Sequence, residues 1–98
     1  MREKSFENKV KEFLKTQNCY YVKQFGCAFT KSGIPDLLVC CNGHFLGVEL
    51  KAEKGRLAPL QIYNLEQIKK AGGISLALYP KDFDDFKKLI KDLKNDSL

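Results

Sequence analysis

The stretch that decides the fold is "DLLVCCNGHFLGVELK", Asp36 to Lys51. Two strand-like runs flank Asn42-Gly43, and Asn-Gly in that setting is the strongest short-range signal for a two-residue type I′ hairpin, because both loop residues must take positive φ. The turn sets the register. Cys41 faces His44, and counting outward pairs Cys40 with Phe45, Val39 with Leu46, Leu38 with Gly47, Leu37 with Val48 and Asp36 with Glu49. Cross-strand partners have Cβ atoms about 4.5–5.5 Å apart, and like charges so placed destabilise a sheet. Alternation puts Glu49 and Lys51 on one face, while Leu46, Val48 and Leu50 point to the other, towards a core. Asp36, Glu49 and Lys51 therefore converge on one patch. Two carboxylates that close make a site for a hard divalent cation, Mg²⁺ or Mn²⁺, and a lysine beside them can polarise a water or steady a phosphate. A plain structural alternative stays open at this point, with Asp36 capping a turn and Glu49 pairing with Lys51.

Outward from the hairpin, Phe6, Val10, Phe13 and Leu14 recur at helical spacing and predict an amphipathic helix over about Lys4 to Gln17. "CYYVKQF", Cys19 to Phe25, reads as a strand, followed by a loop to Pro35. Beyond the hairpin, "EKGRLA" is a loop, and Pro59 opens a helix that runs to about Lys70 and closes at Gly72-Gly73. "ISLALY" is a continuous apolar run of strand length, which predicts a buried central strand. Phe83, Phe86, Leu89, Ile90 and Leu93 mark a final helix. The order helix, three strands, helix, strand, helix predicts an α/β domain with a mixed sheet flanked by helices.

With 98 residues, 44% hydrophobic and 30% charged, one globular domain spanning residues 1–98 is expected. The longest apolar run falls far short of the roughly 20 residues that span a bilayer, and the N-terminus lacks the apolar segment of a signal peptide, so the expected location is the cytoplasm. There Cys19, Cys27, Cys40 and Cys41 should be reduced, and their spacing, with His44 as the only histidine, fits no zinc pattern. A packing role is expected for them, and a plain surface role for His44. The net charge of +5 is unevenly spread: residues 81–98 hold five Lys and five Asp, leaving twelve basic and seven acidic residues in 1–80. Such an excess suits a polyanion-binding face.

"GIPDLL", Gly33 to Leu38, followed after about a dozen residues by "GVELKAEKGRLAPLQ", Gly47 to Gln61, resembles the VRR-NUC branch of the PD-(D/E)XK nucleases. Their motif of acid, spacer, acid, any residue, lysine reads here as Asp36, Glu49, Leu50, Lys51. The bare pattern is common by chance; GxPD…ExKxxxG…Q in this element order is specific. The resemblance covers Glu7 to about Tyr79 and implies a restriction-endonuclease-like core and Mg²⁺-dependent phosphodiester hydrolysis. It implies that Asp36 and Glu49 bind the metal, that the Leu50 carbonyl adds a ligand, and that Lys51 positions or activates water. Gln61 matches a glutamine on the following helix. Its wheel position, in register with Leu65, Ile68 and Gly72, turns it inward, with a helix-start hydrogen bond as the alternative. The resemblance implies that the N-terminal helix supplies a further acid to the metal site, for which Glu7 is the better match and Glu3 the alternative; an acid there also suits the helix dipole if Ser5 is the cap. Lys23, Lys31, Lys54 and Arg56 surround the site as candidate phosphate contacts.

The expected function is thus a Mg²⁺-dependent (or Mn²⁺-dependent), structure-specific DNA endonuclease acting on branched DNA such as four-way (Holliday) junctions, in a bacterial or phage-infected cell. No base-reading motif is present, so shape rather than sequence should select the substrate. A homodimer is expected, since resolving a junction calls for two sites related by a two-fold axis. No small-molecule cofactor or membrane partner is expected. The alternatives are a non-catalytic nucleic-acid-binding module of the same fold and a flap or nicking nuclease.

Overall fold

The structure is a computed structural model in which residues 3–25 and 33–95 are described; Cys27 and Lys31 lie outside them. Three helices flank one four-stranded sheet. In chain order the elements are α1 (Glu3–Thr16), β1 (Tyr20–Lys23), β2 (Leu37–Cys41), β3 (His44–Leu50), α2 (Pro59–Lys70), β4 (Ile74–Leu78), a 3₁₀ turn (Pro80–Asp82) and α3 (Phe83–Lys94). The sheet order is β1-β2-β3-β4, antiparallel except for β3 and β4, which run parallel with α2 as the crossover. This is the mixed α/β arrangement that the periodicities predict.

The hairpin forms as its turn residues dictate. Asn42 and Gly43 have φ of 51° and 84°, and Cys41 pairs with His44. Asn42 Nδ2 also donates to the Leu93 carbonyl at 2.8 Å, fastening the turn to α3. Two helices end by the same left-handed device. Asn18, at φ 57°, follows α1, with the Cys19 amide on the Leu14 carbonyl; Gly72, at φ 96°, follows α2, with the Gly73 amide on the Ile68 carbonyl. Ser5 lies inside α1, which is under way from Glu3, so it is not the cap.

One sheet face carries the main core: Leu37, Val39 and Cys41 of β2, Leu46, Val48 and Leu50 of β3 and Leu78 of β4 pack against Phe6, Val10 and Leu14 of α1 and Phe86 and Ile90 of α3. Phe83 meets Phe6 edge-on at 5.6 Å, tying the terminal helices together. The other face receives α2 over β3 and β4. Gly47 permits that approach, because a Cβ there would stand 2.5 Å from Ile68 Cδ1 and 3.2 Å from Pro35 Cγ.

Two expectations need correction. β4 is an edge strand, not a central one. Its apolar run arises because α2 and α3 cover its two faces: Ser75 Oγ donates to the Leu65 carbonyl, while Leu76 and Leu78 lie beside Phe86. Covered faces make a strand apolar whether or not a neighbour pairs on each side. Of the described cysteines, Cys19 and Cys41 are buried as expected, but Cys40 is exposed. Burial, with Cys41 beside it, pushes the Cys19 thiol up to about 12, which leaves it inert near neutral pH. Among the described residues no helix is long and apolar enough to cross a membrane.

Candidate active site

The β2–β3 ladder ends one pair earlier than the register count predicts. Leu37 with Val48 is its last pair, and Asp36 sits in a bend behind Pro35. The two acids are not a main-chain ladder pair. Instead, the Asp36 amide donates to Glu49 Oε1 at 3.2 Å, and the Leu50 amide donates to Asp36 Oδ2 at 2.8 Å. Each carboxylate takes an amide next to or belonging to the other's segment, so peptide dipoles offset part of the repulsion that direct pairing would produce. The Leu50 amide thereby fixes that residue's backbone beside both acids.

Glu49 is only 4% exposed, on the sheet face that α2 covers. Burial first, and then the charge of Asp36, push its carboxyl up to about 7. Lys51 opposes that rise, its Nζ lying 3.9 Å from Glu49 Oε2, too long for a hydrogen bond. The lysine is held from two directions: its amide donates to the Leu78 carbonyl at 3.0 Å, and its stem packs under Gly55, where a Cβ would come within 3.2 Å of Lys51 Cδ. Tyr79 in turn holds that loop, its hydroxyl donating to the Gly55 carbonyl at 2.9 Å.

Gln61 makes two contacts, one to Glu49 and one at the helix start. Its Nε2 donates to Glu49 Oε2 at 2.5 Å, and its Oε1 accepts from the Ala58 amide at 2.8 Å, which secures the start of α2. With one end fixed by the helix, the other orients the acid.

Glu7 is the inward acid of α1, 5% exposed, whereas Glu3 is exposed. Lys23 Nζ lies 2.8 Å from Glu7 Oε1, and Lys11 and Lys4 lie 2.7 Å and 3.5 Å from Oε2. Burial alone would raise the Glu7 carboxyl, but the Lys11 and Lys23 ammonium groups bring it down to about 2. Burial likewise works against the charge on Lys23, and Glu7 outweighs it, holding that ammonium above its ordinary value. Lys23 is 3.8 Å from Asp36 Oδ1, so Glu7 reaches the acid pair through this lysine. Lys54 and Arg56 are exposed on the loop between β3 and α2, and His44 stands at the opposite end of β3 from Glu49. The sequence reading missed Lys4 and Lys11; their positions three before and four after Glu7 on one helix were the available signal. Nothing local announces Tyr79, whose partner is 24 residues away.

No family model matches the chain, and comparison with curated proteins finds no relative.

The chemistry of the donor set can be judged on its own terms. Asp36 and Glu49 offer hard oxygen donors held by neutral amides, which orient the oxygens without cancelling their charge. Burial first, and then the charge of Asp36, hold the Glu49 carboxyl above its ordinary value, and its charged form needs a positive partner. A hard divalent cation meets that need, so the residues fit such an ion. Among the described residues no third His, Cys, Asp or Glu joins them in one group.

Proposed function

We propose that the chain is a metal-dependent, structure-specific DNA endonuclease with a restriction-endonuclease-like fold of the VRR-NUC type. The observation that carries this reading is the amide-braced Asp36–Glu49 pair, with Lys51 beside it and Gln61 orienting Glu49. A buried carboxylate raised to about 7 beside a second acid is the kind of perturbed group that functional sites collect. Asp36 and Glu49 would hold Mg²⁺ or Mn²⁺, with the Leu50 carbonyl as a further donor. A cation there supplies Lewis-acid stabilisation of the charge that develops on a phosphate.

The chain's own groups do the rest. Lys51 orients the attacking water in line with the leaving oxygen and steadies the phosphate. Gln61 keeps Glu49 aimed at the site from a rigid helix start. Lys54 and Arg56, exposed on the adjoining loop, contact the neighbouring backbone phosphates. The favoured substrate is branched DNA, cut by a homodimer whose two sites face the two strands of a four-way junction.

The test is purified protein with Mg²⁺ against end-labelled four-way junction, flap, nicked and linear duplex DNA, with light scattering on the same samples. Paired symmetric cuts in the junction by a dimer are expected. Single nicks by a monomer would move the function to a flap or nicking nuclease, and DNA binding with no cleavage would leave a binding module.

A further inference from the structure

Sequence alone makes Lys23 one of several phosphate contacts, yet its ammonium lies between two carboxylates, 2.8 Å from Glu7 Oε1 and 3.8 Å from Asp36 Oδ1. Its side chain is 20% exposed, and its backbone pairs with Leu37 at the end of the β1–β2 ladder. The sheet delivers this group to its place; it is not a wandering surface lysine. The second oxygen of Glu7 has Lys11 at 2.7 Å and Lys4 at 3.5 Å, ion-pair contacts without a well-directed hydrogen bond. Three ammonium groups therefore surround one buried carboxylate.

A cation shared by Glu7 and Asp36 would need their oxygens at about 2.0–2.1 Å for Mg²⁺. The Lys23 ammonium stands in that space, and an ion that displaced it would still face Lys11. The other side of Asp36 differs. There, among the described residues, the hydrogen-bond donors on Asp36 and Glu49 are the neutral amides of Leu50, Asp36 and Gln61, and Lys51 stays 3.9 Å away. Lys23 and Lys51 stand at similar distances from the acid pair, but the Lys23 ammonium is bound to Glu7 at 2.8 Å, whereas Lys51 is too far from Glu49 for a hydrogen bond.

Resting on the metal-dependent reading above, we infer that this chain takes a single divalent cation, on Asp36 and Glu49, and that the Lys23 ammonium, held by Glu7, fills the place of a second. Glu7 is then a positioning residue for Lys23 and not a metal ligand. An ammonium supplies one positive charge at a fixed point, with no ion to dehydrate and no dependence on metal concentration.

Calorimetric titration of the full chain with Mn²⁺ alone, in the absence of DNA, tests this. One ion per wild-type chain is expected, and one ion with little-changed affinity for Glu7→Gln. Lys23→Met should bind Mn²⁺ several-fold more tightly, because a positive charge beside Asp36 is gone. Where circular dichroism shows that Lys23→Met does not fold, Glu7→Gln/Lys23→Met removes the stranded carboxylate as well and should show the same tightening. Two ions per wild-type chain, loss of binding in Glu7→Gln, or a lysine variant with unchanged Mn²⁺ affinity and weakened DNA affinity would each overturn the inference. A wild-type chain that binds no ion would overturn the metal-dependent reading itself, and this inference with it.

Discussion

Replacing Glu49 by Gln should make the metal-free protein more stable at pH 8 and change it far less at pH 5. The Glu49 carboxyl lies at about 7 in the folded chain against an ordinary 4.5, so the folded state holds this proton more tightly than the unfolded state. Stability from this group is therefore full below the unfolded value and falls as pH rises from about 4.5 to about 7, levelling off above. At about 1.4 kcal/mol per pKa unit the loss is about 3 kcal/mol, a large share of the roughly 5–15 kcal/mol that holds a small domain together. The substituted amide is neutral throughout and escapes it. Hydrogen bonding does not blur the comparison at pH 5, because a protonated carboxyl and an amide each keep one carbonyl acceptor and gain donor character. Both meet the donors Asp36 N–H and Gln61 Nε2 alike. At pH 8 the variant leaves one of those donors poorly matched, which subtracts about 1 kcal/mol from its advantage. The assay is urea unfolding in EDTA at both pH values. The variant's midpoint should rise relative to wild type by about 1 M at pH 8 for an m-value near 2 kcal/mol/M. Mg²⁺ at pH 8 should stabilise wild type and not the variant. A wild-type–variant difference that does not change between pH 5 and pH 8 would refute the electrostatic account of Glu49.

Three further outcomes follow from the geometry. Lys51→Ala should lower turnover by roughly a hundredfold or more while changing DNA affinity far less, measured at saturating DNA and by binding in Ca²⁺; equal losses in both would make it a binding lysine. Gln61→Ala should weaken Mn²⁺ affinity about tenfold or more, since the orienting bond to Glu49 is lost, and should cost about 1 kcal/mol at the start of α2; calorimetry and urea unfolding read the two effects separately. Gly47→Ala should destabilise the fold by about 1–3 kcal/mol, because its Cβ would press on Ile68 and Pro35, and an unchanged urea midpoint would contradict that packing.

The parts of the fold governed by local rules were legible in the sequence. Asn42-Gly43 fixed the hairpin register from Cys41–His44 to Leu37–Val48, and Pro59 and Gly72-Gly73 bounded α2, because turn and cap chemistry acts within a few residues. What the sequence concealed depends on distant partners. A continuous apolar run reports that both faces of β4 are covered, yet nothing in it reveals that one edge has no strand beside it among the described residues. The register count carried Asp36 into the ladder because backbone counting cannot foresee a side chain taking over an amide. Lys23 read as a phosphate contact because its two carboxylate partners lie on α1 and just before β2, far from it in sequence. Alternation and helical wheel did bring Asp36, Glu49, Lys51 and Gln61 to one place, since each side chain's direction follows from its own element.

The central claim is that Asp36 and Glu49 form a cation site for phosphodiester hydrolysis, and the most direct measurement is cleavage of end-labelled junction DNA by wild type and Asp36→Asn across a Mg²⁺ titration. The side-chain carbonyl of the introduced asparagine can still accept from the Leu50 amide, so the variant should unfold in urea as a native protein does. Wild type should cleave with saturable Mg²⁺ dependence, and Asp36→Asn should cleave at least about a hundredfold more slowly at every Mg²⁺ concentration. Cleavage at equal rates by the two folded proteins, or wild-type cleavage unaffected by EDTA, would contradict the account.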